Sequence, residues 1–198
     1  MPRPLSTAEV SDFRERLCDA AAGLFAARGP NGFTLRELAS ELGVSPMTPY
    51  RYFKDKDEIL AAVRARAFNK FAEALEKGFD TPGDAITRAS AAGEAYIRFA
   101  FEDTASYKLM FDLTQPDDNY PELAEAADRA RKTLTRHIHP LVAAGLLKGD
   151  PDLIGHIFWA VLHGAVMLQL AGKLDPECDF RKLVSGAFRA LTEGLAVR

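Results

Sequence analysis

The chain has 198 residues, of which 47% are hydrophobic and 27% are charged. These proportions are typical of a folded globular protein and exclude a disordered chain. The formal net charge of −3 excludes a strongly basic protein that coats nucleic acid. Apolar residues recur at helical spacing along the chain, and no run alternates as a strand would, so the sequence predicts an all-α fold.

The first two predicted helices lie in the N-terminal third of the chain. Apolar side chains recur on one face from Val10 to Phe25, which predicts a long first helix. Thr34 with Glu37 has the spacing of a capping box, so a second helix is expected to begin at residue 35. Gly43 suits the left-handed position that ends this helix.

A third helix is predicted immediately after that turn, from about Pro46 to Tyr52, with Ser45 as its cap. Two short helices joined by a tight turn that contains glycine form a helix-turn-helix unit. Pro49 lies at the fourth position of the predicted helix and lacks the donor for the Ser45 carbonyl. We therefore expect a tightened first turn rather than a break.

The chemistry of this segment suits a helix that lies in the major groove of DNA. Met47 and Thr48 can contact base edges or thymine methyl groups, and Arg51 can donate two hydrogen bonds to guanine. Phosphates can be contacted by tyrosine hydroxyls and at helix N-termini. The candidate DNA-binding residues are Thr34, Ser45, Pro46, Met47, Thr48, Tyr50, Arg51, Tyr52 and Lys56. A plain helical hairpin with surface tyrosines is the alternative, and the spacing only modestly favours DNA binding over it.

Four stretches of the first 65 residues resemble the DNA-binding region of TetR-family transcriptional regulators. They are Leu-Cys-Asp-Ala-Ala-Ala-Gly-Leu-Phe-Ala-Ala-Arg-Gly at 17–29, Gly-Phe-Thr-Leu-Arg-Glu-Leu-Ala at 32–39 with Leu-Gly-Val-Ser at 42–45, and Pro-Tyr-Arg-Tyr-Phe-Lys-Asp-Lys at 49–56. The resemblance implies a three-helix DNA-binding head, a larger helical body that binds a ligand, and a homodimer. The expected boundaries are 1–56 for the head and 57–198 for the ligand-binding and dimerisation domain.

The helices of the body are marked by their caps. Asp55 with Glu58 begins a long helix that is expected to run to Gly78 and to link the head with the body. Asp150 and Asp175 each precede a proline, which predicts that two further helices begin at these positions.

A small-molecule effector is expected in the body, because aromatic residues are dense after position 95. The candidate ligand-binding residues are Tyr96, Met110, Phe111, Trp159 and His163. For most of these aromatic residues, core packing is the favoured explanation. Trp159 and His163, followed by Gly164, resemble the Trp…His-Gly signature in the C-terminal domain of one branch of the family.

Two C-terminal helices are expected to form the subunit interface. Residues 153–172 contain no Asp, Glu, Lys or Arg, and an apolar stripe follows in residues 180–195. The first stretch is nearly long enough to span a bilayer, but His156 and His163 would be costly there, so no membrane partner is expected. Paired about a two-fold axis, the helices would form a four-helix bundle, and the heads could read palindromic double-stranded DNA.

An enzyme is not expected, and neither a cofactor nor a metal. His137 and His139 would point to nearly opposite sides of a helix, and no phosphate loop or nucleophile elbow is present. Cys18 and Cys178 are far apart, and no signal peptide is recognised, which favours a reducing, cytoplasmic setting. The alternative function is a helical small-molecule-binding protein without DNA regulation.

Overall fold

The computed structural model describes residues 7–29, 32–111 and 119–195. Within these residues the secondary structure is helical and no strand occurs, which confirms the all-α prediction. The α-helices are α1 (Thr7–Arg28), α2 (Leu35–Glu41), α3 (Lys56–Phe79), α4 (Ala85–Glu102), α5 (Thr104–Phe111), α6 (Pro121–Arg136), α7 (His139–Ala143), α8 (Pro151–Leu170) and α9 (Phe180–Leu195), and a 3₁₀ turn covers Pro49–Arg51.

The chain divides into two compact units. The head unit contains Met1–Asn69 and Thr104–Ala127, and the body unit contains Lys70–Asp103 and Asp128–Arg198. The boundary between DNA-binding and ligand-binding functions after residue 56 stays a prediction. By packing, residues 57–69 and α5 belong to the head unit.

The head unit has a core formed by α1, α2 and the first turns of α3. Leu17, Leu38 and Ile59 are fully buried in this core. Phe25 and Phe33 meet edge to face with ring centroids 4.8 Å apart, so the chain segment before α2 is fixed on α1. The repeat of apolar residues at helical spacing thus produces the packed face that the sequence predicts.

The body unit is built around buried residues of α4, α6 and α8. Tyr96 and Val166 belong to this core, and Phe71 packs edge to face on Tyr96. Helices α6 and α8 approach so closely that a Cβ added at Gly155 would lie 2.9 Å from the Cα of Thr135. Glycine at this position therefore permits the close contact between the two helices.

Each of the last two long helices begins after a capping aspartate, but only the start of α8 agrees with the sequence prediction. Helix α8 begins as expected, because the Asp150 carboxylate accepts a hydrogen bond from the Asp152 amide and Pro151 is the first helical residue. The expectation that a helix begins at Asp175 is wrong. Asp175 caps only a short turn through Glu177, and α9 begins at Phe180, where Asp179 accepts from the Lys182 amide.

Candidate functional site

The helix-turn-helix unit of the head begins with the predicted capping box. The Thr34 hydroxyl accepts from the Glu37 amide at 3.2 Å, and the Glu37 carboxylate accepts from the Thr34 amide at 2.7 Å. The Thr34 amide, followed by its hydroxyl, holds the pKa of Glu37 below its usual value. The capping box therefore gives the backbone amides of Thr34 and Glu37 hydrogen-bond acceptors at the start of α2, as the spacing predicts.

The turn after α2 is a Schellman motif. Gly43 has a φ of 65°, its amide donates to the Ser40 carbonyl, and the Val44 amide donates to the Ala39 carbonyl at 2.9 Å. These two bonds satisfy carbonyls that the end of α2 leaves open. The glycine thus fixes the direction in which the following segment leaves the helix.

The expected α-helix from Pro46 to Tyr52 does not form. Pro49 has no amide hydrogen, and the Ser45 carbonyl accepts from the Thr48 amide instead, at 2.8 Å. The Arg51 and Tyr52 amides continue the same three-residue spacing, which gives the 3₁₀ turn Pro49–Arg51. The tightening that was expected for one turn therefore extends through the segment.

The candidate DNA-binding residues lie on this segment and at its borders. Met47 is 67% exposed and Tyr50 is 51% exposed. Thr34, Ser45, Pro46 and Arg51 are also exposed, whereas Thr48, Tyr52 and Lys56 are half-buried. The structure thus brings the predicted residues into one exposed segment, and their contacts with DNA stay a prediction.

Tyr52 and Lys56 also have partners inside the head. The Tyr52 ring packs 4.7 Å from the Phe13 ring, and its carbonyl accepts from Arg14 at 2.7 Å. The Lys56 ammonium donates to the Phe33 carbonyl at 2.7 Å and lies 4.5 Å from the centroid of the Phe33 ring. Lys56 therefore connects the start of α3 with the segment that leads into α2.

Three of the five candidate ligand-binding residues meet in the body unit. The Trp159 indole donates to the Tyr96 hydroxyl at 3.2 Å, and Nδ1 of His163 lies 3.2 Å from the same hydroxyl. Tyr96 is only 2% exposed, so this network lies in the interior. Met110 and Phe111 belong to the head unit, where Arg64 donates to the Met110 carbonyl and Phe111 packs on Tyr107.

A cavity of about 700 Å³ lies in the body unit between α4, α7, α8 and α9. Its walls are mostly aliphatic and aromatic, and its lining residues are Ile86, Ala89, Ser90, Gly93, Glu94, Ile97, His137, Ile138, Leu141, Leu146, Leu147, Phe158, Leu162, Arg181, Lys182, Val184, Ser185, Phe188, Arg189 and Thr192. A second cavity of about 40 Å³ shares Gly93, Phe158 and Leu162 with it and reaches Tyr96 and Trp159. None of the five candidate ligand-binding residues lines the large cavity, because its lining residues come from four helices that are separate in the sequence.

His137 is the titratable residue of the cavity interior. Burial lowers the pKa of its imidazole below the usual value, and the Thr133 carbonyl opposes that shift only in part. The imidazole is consequently neutral near pH 7. Among the residues that the structure describes, no group of three or more His, Cys, Asp or Glu could hold a metal ion.

Helices α8 and α9 present a second, exposed face that carries small and apolar residues. Leu153 is 59% exposed and Leu168 is 46% exposed, with Ala160 and Gly164 between them along α8. By length and composition α8 could also cross a membrane, and 28% of its most apolar window is buried within the chain. Exposed apolar faces of this kind commonly serve as contact surfaces between proteins.

Comparison with known proteins places both parts of the chain in one family. Residues 17–63 match the family model for bacterial regulatory proteins of the TetR family. Residues 89–191 match the model for the C-terminal domain that resembles the tetracycline repressor. The Trp…His-Gly branch itself stays a resemblance.

Individual relatives agree with these matches. An uncharacterised HTH-type transcriptional regulator of Haemophilus influenzae is 40% identical over 70 residues, which is 35% of this chain and 37% of that protein. The regulator SrpR of Pseudomonas putida is 28% identical over 194 residues, covering 94% of this chain and 88% of SrpR. The chain spans 37% to 58% of the length of the first curated relatives that it matches.

A solved structure extends the agreement to the fold. A protein of unknown function from Rhodococcus sp. RHA1 superposes with a TM-score of 0.82 at 27% identity, covering 99% of this chain and 100% of that one. Because the C-terminal model alone matches more than half of the residues, and the N-terminal model matches the helix-turn-helix unit, the chain belongs to the TetR family of bacterial regulators.

Proposed function

We propose that the chain is a DNA-binding transcriptional regulator, a repressor whose operator affinity is changed by a small apolar or aromatic effector bound in the body. The observation that carries this proposal is the exposed segment after α2, held by a capping box and a Schellman motif. Met47, Tyr50 and Arg51 project from this segment without any role in the core of the head. Proteins that read base edges present side chains in this way.

The proposed regulator is a cytoplasmic homodimer that binds palindromic DNA. One head neutralises few phosphates, so its affinity for DNA would be low. Two heads joined in one dimer bind together and share the gain. The exposed faces of α8 and α9 supply an interface, since an added Cβ at Gly164, Gly186 or Gly194 meets nothing within 4 Å. A partner helix can therefore approach the backbone closely, as in a four-helix bundle.

The effector acts by binding one arrangement of the two heads better than the other. Such a difference in affinity shifts the population between the two arrangements, and DNA affinity changes with it. The cavity of about 700 Å³ supports an apolar or aromatic effector, because its size falls within the range of small-molecule sites. The regulator needs no cofactor, and it is not an enzyme.

Selection of bound fragments from a random DNA pool, at near-physiological salt, tests this function. We expect a palindrome whose half-sites are about one helical turn apart, roughly 34–36 Å. The same fragment then serves to find effectors that release the protein. Recovery of no sequence by a folded dimer, with and without metabolites from a cell extract, would instead favour a small-molecule-binding protein without DNA regulation.

A further inference from the structure

The cavity of the body unit has a mostly apolar lining and is partly open to solvent. Ile97 of α4, Leu141 and Leu147 of the α7 region, and Phe158 and Leu162 of α8 form its walls. A ligand that covers this surface gains free energy in proportion to the apolar area that it removes from water. The interior thus selects for an apolar chain or ring system.

Charge is confined to the edge of the cavity where α9 meets α4. Arg181, Lys182 and Arg189 stand on α9, and Glu94 is the acidic residue of the lining. Arg181 donates to both carboxylate oxygens of Glu94, at 2.7 and 2.6 Å, so this pair is neutral. Lys182 and Arg189 have no ion-pair partner among the residues that the structure describes, so the side chains that line this edge carry two positive charges in excess.

The two cations can act on one bound group. They lie seven residues apart on α9, which is about two helical turns, and both line the same cavity. Apart from the charged residues at the α9 edge, the titratable side chain among the described lining residues is His137, which burial keeps neutral near pH 7. An anionic group is therefore attracted to the α9 edge, whereas the interior offers it no positive charge.

We propose that this cavity binds an apolar molecule with one terminal anionic group, the apolar part against α4, α7 and α8 and the anion against Lys182 and Arg189. This deepens the proposed function, and rests on it, because it names the chemical class of the effector. A carboxylate and a phosphate monoester share the necessary chemistry, and the experiment below distinguishes these two sources.

Trp159, the single tryptophan of the chain, allows a direct binding measurement because it lines the small cavity next to the large one. Dodecanoate, dodecyl phosphate, dodecanol and dodecylamine are titrated without DNA, below their micelle concentrations, by tryptophan fluorescence and by calorimetry. We expect at least one of the two anions to bind about ten times more tightly than the alcohol, and the amine to bind more weakly than the alcohol. The tighter of the two anions identifies the source.

Two variants test the assigned positions. The double variant Lys182→Gln, Arg189→Gln should reduce the affinity for the anion to about that for the alcohol, while Lys132→Gln, which removes an exposed cation of α6, should not. Gly93→Leu should abolish binding of all four probes, since Gly93 lines both cavities and has open space around an added Cβ. The variant should still fold, because leucine is a better helix former than glycine.

Equal binding of anion, alcohol and amine would overturn the proposal, as would unchanged binding by Gly93→Leu or by the double variant. Operator binding is measured separately with the unliganded protein. If the protein binds its operator but no anionic probe, only the ligand class is wrong. If it binds the anion but selects no DNA, only the regulatory function is wrong.

Discussion

Arg51 and Lys56 are both basic residues of the predicted DNA-binding surface, but they differ in their contacts with the rest of the protein. Arg51 is exposed on the 3₁₀ turn, and no hydrogen bond or ion pair of its side chain is found in the part of the chain that the structure describes. The Lys56 ammonium is held by the Phe33 carbonyl and ring. The first is available to read bases, whereas the second has a structural task even without DNA.

Replacing Arg51 with alanine should alter which sequences are bound. A bidentate contact between arginine and guanine contributes about 1–3 kcal/mol of discrimination against a wrong base pair. Fragment selection with Arg51→Ala should therefore recover a motif that is relaxed at one position of each half-site. A uniform loss of affinity for all sequences would show that Arg51 contacts phosphate and does not read a base.

Replacing Lys56 with alanine should weaken binding to all sequences about equally and should also destabilise the free protein. Losing a charged donor to a partly buried carbonyl costs about 1–2 kcal/mol. Denaturant unfolding without DNA measures this loss, and Lys54→Ala, which removes an exposed cation nearby, is the matched control. If Lys56→Ala unfolds at the same denaturant concentration as the control, the contact with Phe33 does not stabilise the head.

At the scale of the single element, the capping box of α2 predicts a pH dependence. The Thr34 amide and hydroxyl lower the pKa of Glu37 in the folded chain. A lowered folded pKa means that the stabilisation is complete above the unfolded pKa and is lost as pH falls through the folded value. The melting temperature of Glu37→Ala should therefore lie below that of the natural chain at pH 7, and this difference should shrink below about pH 4.5.

The matched control for that series is Glu41→Ala, since Glu41 is an exposed carboxylate at the other end of the same helix. Because a carboxylate at the C-terminal end of a helix opposes the helix dipole, this replacement should not lower the melting temperature at pH 7. A difference at Glu37 that stays constant down to pH 3 would mean that the carboxylate does not accept the Thr34 hydrogen bonds in solution.

Elements with a regular pattern and a cap could be predicted from the sequence, and those that depend on competing local bonds could not. Helix α2 and the start of α8 follow from residues four or fewer positions apart. The segment at Pro49 was predicted as helix because its neighbours favour helix, yet the missing amide redirects the hydrogen bonds through the whole segment. At Asp175 the prediction is wrong for a related reason. An aspartate before a proline can cap a single turn as well as a helix, and here it caps only a turn.

The ligand site shows how far the sequence predicts which residues meet in the folded chain. Tyr96, Trp159 and His163 were chosen from separate parts of the sequence, and the structure brings them together around one hydroxyl. Met110 and Phe111 were chosen for the same reason and belong to the head unit. Aromatic density identifies interior residues, but only packing decides which cavity, if any, an interior residue lines. The cations of α9 gave no sequence signal, because charged residues on an amphipathic helix usually face solvent.

At the scale of the whole molecule, the proposed two-headed binding depends on a dimer formed through the exposed face of α8 and α9. Ala160 lies on that face between Leu153 and Leu168, so Ala160→Glu places a charge in the proposed interface. A buried unpaired carboxylate is costly, and the dimer should dissociate while each chain stays folded. Operator affinity should then fall about 100-fold or more, because the second head no longer binds at a high effective concentration.

Sedimentation velocity and operator titration measure these two effects on the same sample. Ala143→Glu adds the same charge at an exposed alanine of α7, outside both the cavity lining and the α8–α9 face, and should remain a dimer with unchanged operator affinity. An Ala160→Glu protein that still sediments as a dimer would place the interface elsewhere. If Ala160→Glu is monomeric but binds the operator as tightly as the control, then one head suffices, and the palindrome has no role in affinity.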